Sequence, residues 1–246
     1  MRIAILTDIH ANREAFEAVL ADVALRGSDR IGILGDVVGY GPDPAWCTDR
    51  VRELVATGAF CIKGNHDSAI SNKSEHLNVT ALRAINWTRQ LLSPDQTEFL
   101  AGLPMTHAEG DILFVHASAN DPADWIYVSS ESSAMPSFRV SQARVILVGH
   151  RHIPALYSCD MAGRVKAQKV AAGQPAPLIR SRRWLAVIGA VGQPRDGLAQ
   201  AAYAMLDTDR NELTFRRVPY DVQKTVAKLR SAGLPESLAM RLNWGV

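Results

Sequence analysis

Short runs of consecutive apolar residues alternate along this chain with segments in which apolar residues recur every three or four positions. The first run, Ile3-Ala4-Ile5-Leu6, predicts a buried strand with Asp8 and His10 just beyond it. Phe16, Val19, Leu20 and Val23 then recur at helical spacing, with Arg13, Glu14, Glu17 and Asp22 turned outward. That pattern predicts an amphipathic helix capped near Asn12 and closed by Gly27. Residues 31–34 read as a second strand ending at Gly35-Asp36, the turn-rich residues 39–44 follow, and a helix is expected over 45–56. Residues 59–62 form a third strand, ending at Gly64-Asn65-His66-Asp67. Strands and helices in this alternation predict a largely parallel sheet covered by helices.

The pattern then changes. Leu82, Ile85 and Leu92 mark a helix, and Ser93-Pro94-Asp95 opens a shorter one reaching Leu100. Residues 112–115 read as a strand carrying His116 at its end, and residues 117–139, rich in Pro, Asp and Ser without a period, as a long loop. The next strand, 145–148, delivers Gly149-His150-Arg151-His152. Strands dominate thereafter, near 156–159, 165–170, 184–189, 201–206 and 213–218, with hairpin turns at Ala162-Gly163 and 207–211. A last helix is expected from about Tyr220, with Val222, Val226 and Leu229 on one face. No internal repeat or shift of composition divides the chain, so residues 1–246 are expected to form one domain.

Composition narrows the function classes. With 246 residues the chain can bury a sizeable core, and 47% hydrophobic and 21% charged residues are ordinary for a globular protein. A net charge of +2 makes no electrostatic case for a nucleic-acid or membrane partner. Cys47, Cys61 and Cys159 are odd in number and form no C-x-x-C pair, so buried thiols in a reducing compartment are expected. The run 3–6 is too short for a signal-peptide core, and no run approaches the ~20 apolar residues of a spanning helix. A cytoplasmic location is the expectation; the oligomeric state is not legible.

The chemistry gathers at strand ends. Asp8/His10, Asp36, Asn65/His66, His116 and His150/His152 follow five separate strands, leaving only His76 and His107 of the histidines elsewhere. Side chains two apart on an extended chain point the same way, which predicts Asp8 beside His10. In open α/β sheets ligands bind beyond the carboxyl ends of the strands. Each position has an ordinary alternative when taken singly: a turn-forming Asp after Gly, a hydrogen-bonded His116, a simple turn at G-N-H-D. As an ordered set they point to a metal site. Oxygen and imidazole donors without thiolate suit Mn, Fe, Co, Zn or Ni.

Asp8-x-His10, Gly35-Asp36, Gly64-Asn65-His66-Asp67, His116 and Gly149-His150-x-His152, in this order, resemble the calcineurin-like metallophosphoesterases. Residues 35–42, 191–197 and 232–236 look like the small bacterial and archaeal branch, some members of which are phosphodiesterases or asymmetric diadenosine-tetraphosphate hydrolases. The resemblance implies an α/β fold, a four-layer α/β/β/α sandwich of two mixed sheets flanked by helices, with a site for two divalent or mixed-valence transition metal ions at one edge. By that resemblance Asp8, His10, Asp36 and His152 hold one ion, while Asp36 bridges to a second completed by Asn65, His116 and His150. His66 stands outside the ligand set and faces the substrate.

Two ions about 3.5–4 Å apart can activate a shared water and clamp the attacking and leaving oxygens. Two dications outweigh the charge of Asp8, Asp36 and a hydroxide, so the site stays positive and favours a phosphate ester. The implied reaction is attack of a metal-bridging hydroxide on a small phosphodiester or nucleotide, with His66 assisting the leaving group and Asp67 as its orienting partner. A protein serine/threonine phosphatase on the same site, or a non-catalytic interaction protein on the same fold, is the alternative. Two departures stand out. Gly39 and Tyr40 replace the acid and base of the wider family's G-D-x-x-D-R, removing the usual partner of His66. Residues 187–190, Val-Ile-Gly-Ala, replace the branch's N-P-G-S. Arg195 is the expected phosphate contact, with an ion pair to Asp196 as its structural alternative. Trp125 and Tyr127 could stack a nucleobase or simply pack their loop, and Arg180, Arg182 and Arg183 could meet a polyphosphate or line a solvated hairpin.

Overall fold

A computed structural model describes residues 1–246. The chain begins with β1 (Arg2–Leu6), α1 (Arg13–Arg26), β2 (Arg30–Ile33), α2 (Pro44–Ala56) and β3 (Phe60–Cys61). Three helices follow, α3 (Asn65–Ser71), α4 (Val79–Leu91) and α5 (Pro94–Gly102). The next elements are β4 (Thr106–Glu109), β5 (Ile112–Val115), α6 (Glu131–Val140) and β6 (Val145–Val148). The strands β7 (Ala155–Cys159), β8 (Val165–Gln168), β9 (Pro175–Pro177), β10 (Arg183–Val187), β11 (Ala201–Asp207) and β12 (Glu212–Val218) precede α7 (Val222–Ser231) and α8 (Glu236–Trp244). The expected caps are in place. Asn12 Oδ1 accepts from the Ala15 N–H at 3.1 Å, and Gly27 closes α1 at φ 71°. Ser93 and Gln96 form a reciprocal box at the start of α5, with Pro94 inside its first turn.

The strands make two six-stranded sheets, in the orders β3-β2-β1-β11-β12-β9 and β4-β5-β6-β10-β7-β8. β1 runs parallel to β2 and antiparallel to β11, while β10 runs parallel to β6 and antiparallel to β7, so both sheets are mixed. Pleating distributes the side chains between layers. Ile3 and Ile5 enter a core shared with Phe114 and Leu147 of the other sheet. Ala4 and Leu6 face the opposite way, into a cluster with Phe16 and Val19 of α1. On the far side, Ile146 and Val148 lie against Ala134 and Phe138 of α6. The result is the expected α/β/β/α sandwich. A smaller cluster joins Ala81 of α4, Val226 of α7 and Leu238 of α8, and Tyr40 belongs to it.

Several local expectations are corrected. Residues 117–139 are not a continuous loop, because α6 occupies 131–140 around an internal Pro136. Gly64-Asn65-His66-Asp67 is a helix entry, with Gly64 at the N-cap of α3. The strands β4 and β9 and the helix α8 lie where no element was predicted. Arg183 does not join a solvated basic face: it donates to the carbonyls of Phe138, Ser141 and Ala143, closing the C-terminal end of α6. Cys47, Cys61 and Cys159 are all buried. No helix is long and apolar enough to cross a membrane.

The inter-sheet core carries the strands that deliver the site residues. Leu147, fully buried on β6, lies three positions before His150. Leu147→Ala should lower unfolding free energy by about 2–5 kcal/mol, read by urea denaturation; a loss below about 1 kcal/mol would show that the sheets close over the gap.

Candidate metal centre

The segments after β1, β2, β5 and β6 meet at one edge of the sandwich, and the backbone braces them. The Asp8 and His10 N–H groups donate to the carbonyls of Gly35 (3.0 Å) and Asp36 (2.9 Å), and the Gly149 N–H donates to the His116 carbonyl (2.8 Å). Two further bonds tie the sheets together. The His150 N–H donates to Asp8 Oδ2 at 3.0 Å, and His116 Nδ1 donates to the Leu34 carbonyl at 2.6 Å.

Asp8 and His10 are not aligned by a strand pleat as expected. Their φ angles are 53° and 49°, and Asp36 (53°), His150 (65°) and His152 (63°) share this left-handed conformation. For residues with a Cβ it costs on the order of 1–3 kcal/mol each and persists only where the surroundings over-determine it. Tight turns, not extended chain, aim these side chains. Gly64 makes the approach possible, since a Cβ there would collide with the Asp36 carboxylate.

The donor atoms converge closely. His152 Nε2 lies 3.1 Å and His10 Nε2 3.7 Å from Asp8 Oδ1. Asp36 Oδ2 lies 3.6 Å from His10 Nε2 and 3.4 Å from His116 Nε2, whose other neighbour is His150 Nδ1 at 3.2 Å. Asp8, His10 and His152 therefore form one compact donor group and Asp36, His116 and His150 a second; a third, of His10, Asp36 and His66, overlaps both. His10 Nδ1 donates to the Val38 carbonyl (3.2 Å) and His152 Nδ1 to that of Gln193 (2.6 Å). With Nδ1 donating, both rings turn Nε2 inward, where it carries a lone pair whenever the ring is unprotonated, and the two Nε2 atoms face each other at 3.1 Å. Two lone pairs so close repel unless a cation or proton lies between them. Asp8 Oδ1 and Asn65 Oδ1 are also buried without hydrogen-bond partners. Orphaned acceptors opposite backbone-oriented imidazoles are what a divalent cation satisfies, so the residues fit one.

Comparison with known proteins agrees. The calcineurin-like phosphoesterase family model matches residues 1–154. The chain belongs to that family. This phosphoesterase is 38% identical to a metallophosphoesterase from Sphaerobacter thermophilus, whose crystal structure superposes with a TM-score of 0.88 and covers 100% of this chain and 99% of that one. An uncharacterized protein of Methanocaldococcus jannaschii is 33% identical over 99% of this chain and 98% of its own length. Phosphodiesterase YfcE of Escherichia coli K12 is 29% identical over 63% of this chain and 71% of its own. Family membership makes the chain a metal-dependent phosphoric ester hydrolase.

Around the donors the phosphoesterase has a cavity of about 200 Å³ whose lining includes Asp36, Tyr40, Asn65, His66, Trp125 and Arg195. Asp67 lies behind it. Its Oδ1 accepts from the Val37 (2.9 Å) and Val38 (3.3 Å) N–H groups and its Oδ2 from that of Gly64 (3.0 Å), while His66 Nδ1 has no partner. The expectation that Asp67 orients His66 is thereby corrected: Asp67 ties the loop after β2 to the start of α3. Arg195 does not pair with Asp196, which meets Arg217. Its guanidinium bonds Gln193 Oε1 at 2.9 Å and otherwise faces the cavity. Tyr127 stacks on His150 with centroids 4.2 Å apart, and Trp125 donates to Glu75 at 2.7 Å, so both aromatics have protein partners at the cavity wall. His76, set aside in the sequence, also lines this wall. Leu77 and Asn78 line the cavity with it, and no local pattern signals that.

Burial and charge oppose each other here. Burial disfavours the charged form of Asp36, but His116 and His66 hold its carboxyl well below the usual range. Burial likewise disfavours a charged His116, yet the Asp36 carboxylate outweighs it and the imidazolium is pushed up to about 9. Burial dominates at His66, lowered to about 4, and at His150, lowered to about 3. The protein groups alone therefore keep a proton on His116 at neutral pH, and its Nε2 must lose that proton to become a ligand. A raised pKa stabilises the metal-free fold fully below about 6.5 and ceases to do so as pH passes about 9. Manganese uptake at pH 7 should release protons, that of His116 among them, and affinity should rise toward pH 9. Titration calorimetry in buffers of different ionisation enthalpy measures this; uptake with no proton release would contradict it.

Proposed function

We propose that the chain, acting as one domain over residues 1–246, hydrolyses small phosphodiester or nucleotide substrates with two divalent transition metal ions. Asp8, His10, Asp36 and His152 would hold one ion and Asp36, Asn65, His116 and His150 the other. The observation that carries this reading is the single oxygen Asp36 Oδ2 standing between His10 Nε2 and His116 Nε2, at 3.6 and 3.4 Å. One carboxylate oxygen facing both donor groups has the disposition of a bridging ligand. Ligands from both sheets and a shared inter-sheet core support treating the chain as one unit.

When bound, the ions supply Lewis acidity toward a phosphoryl oxygen and lower the pKa of water. The remaining work falls to the chain's own groups. Arg195, with its ion-pair capacity unspent, binds a non-bridging phosphoryl oxygen. His66 is kept neutral by burial and still carries one N–H, which it donates to the leaving oxygen. Tyr127 holds the His150 ring in one plane, and Asp67 fixes the backbone from which both Asn65 and His66 project. The walls around Leu77, Ala81 and Trp125 give an ester substituent an apolar neighbour, which suits a small diester.

Bis-p-nitrophenyl phosphate should be hydrolysed in the presence of Mn and not after chelation. Asp36→Asn should lose most bound metal along with turnover. His66→Ala should lower kcat about 10²–10⁴-fold while metal content stays that of the parent, measured by plasma mass spectrometry. Loss of both ions from His66→Ala would remove it from the substrate side and make it a ligand.

A further inference from the structure

We infer that Tyr40 is the positioning residue of this site, its ring fixing His66 and Arg195 on the substrate side of the metal ligands; the inference rests on the function proposed above. Tyr40 has φ 62°, a conformation that bulky side chains rarely adopt. Strain at such a residue is retained where the surroundings require the side chain in one place. The ring is 6% exposed and borders the cavity. It lies 4.4 Å from the His66 ring and 4.7 Å from that of His10, centroid to centroid, and the Arg195 guanidinium carbon stands 5.7 Å from its own centroid.

Polar partners do not account for where His66 and Arg195 sit. His66 Nδ1 has no hydrogen-bond partner, so no side chain or carbonyl orients the imidazole through that nitrogen. Arg195 Nε is likewise unpartnered, its guanidinium bonds the neutral amide of Gln193, and the Tyr40 hydroxyl also lies close enough to feel its charge. His66 also meets the His10 ring edge-on at 4.9 Å and its backbone N–H donates to Asp36 Oδ1, but the nearest ring to it is that of Tyr40, which gives His66 tilted packing and Arg195 a cation–π attraction. Gly39, at φ 90°, completes the arrangement, because a Cβ there would overlap the His66 imidazole. Gly39-Tyr40 thus gives His66 a slot and a wall. Neither side chain forms a salt bridge, although the Asp36 carboxylate lies within 4.8 Å of a His66 ring nitrogen. His10 also touches the ring, but its Nδ1 bond to Val38 holds it independently.

The test compares Tyr40→Leu with Tyr40→Phe in the full chain. Tyr40→Leu should keep the parent's metal content and lose about 100-fold in kcat, the scale of an ångström-sized misplacement. Tyr40→Phe, which keeps the ring and drops the hydroxyl, should restore most of that loss. Independently of turnover, the crystal structure of metal-free Tyr40→Leu should show His66 and Arg195 in rotamers different from the parent's. Unchanged rotamers, an unchanged kcat, or a Tyr40→Phe as impaired as Tyr40→Leu would overturn the inference, the last by assigning the role to the hydroxyl. Loss of metal from Tyr40→Leu would also overturn it, since the ring would then be supporting His10. Should Tyr40→Leu not fold, Tyr40→Met keeps a similar volume without the ring and is read the same way. A parent that binds metal yet hydrolyses no phosphoester refutes the proposed function; the rotamer comparison still decides what Tyr40 does.

Discussion

The Asp8 carboxylate is the contact on which the arrangement of this protein turns. One of its oxygens accepts from the Thr7 hydroxyl at 2.8 Å and from the His150 N–H at 3.0 Å, joining the first strand of one sheet to a loop of the other. The second oxygen is left without a hydrogen bond and faces His10 and His152. Burial penalises this charge, and the neighbouring imidazole of His152 keeps the group ionised all the same. One side chain therefore ties a loop of one sheet to a loop of the other and aims an unsatisfied anion at a histidine cluster. The fold and the metal centre are not separable parts of this molecule.

A second constraint follows from the first. Six carboxylate and imidazole donors from loops of two sheets point inward within a few ångströms of one another, and regular strand geometry cannot do that. The chain turns instead through left-handed backbone at Asp8, His10, Asp36, His150 and His152, with glycine at position 64 where the start of α3 approaches the Asp36 carboxylate. Such strain is sustained by the fully buried apolar layers on either side of each sheet, which leave the loops little alternative. The imidazoles of His10, His116 and His152 are then set by the backbone carbonyls of Val38, Leu34 and Gln193, so their orientation is inherited from the backbone. Preorganisation of this kind spares the site the cost of ordering its ligands when a cation arrives.

Most of the strand and helix order was legible because it depends on local periodicity and caps. Asn12, Gly27 and Ser93-Pro94 announce helix ends through hydrogen bonds made within a few residues. Helix α6 was not legible. Pro136 argues against a helix locally, only Ala134, Ser137 and Phe138 of its residues are buried, and its last carbonyls are satisfied by Arg183, more than forty positions away. The partners of Asp67 are hidden for a related reason: its neighbour in sequence is His66, but in space it accepts from Val37 and Val38 of the preceding loop.

By itself the sequence determined which atoms are available: two carboxylates, one amide and four imidazoles at strand ends, in an order and spacing that carry a family likeness. It determined the alternating strands that had to become a layered sheet structure, since burying apolar runs admits few other solutions. Tertiary structure alone decided that one Asp36 oxygen faces two donor groups, that Arg195 is spared by Asp196, and that Tyr40 walls in His66. The physical reason is that side-chain chemistry is a local property, whereas ligand geometry depends on the register of strands and the approach of loops far apart in the chain. Those are settled only when the two sheets close on their common core.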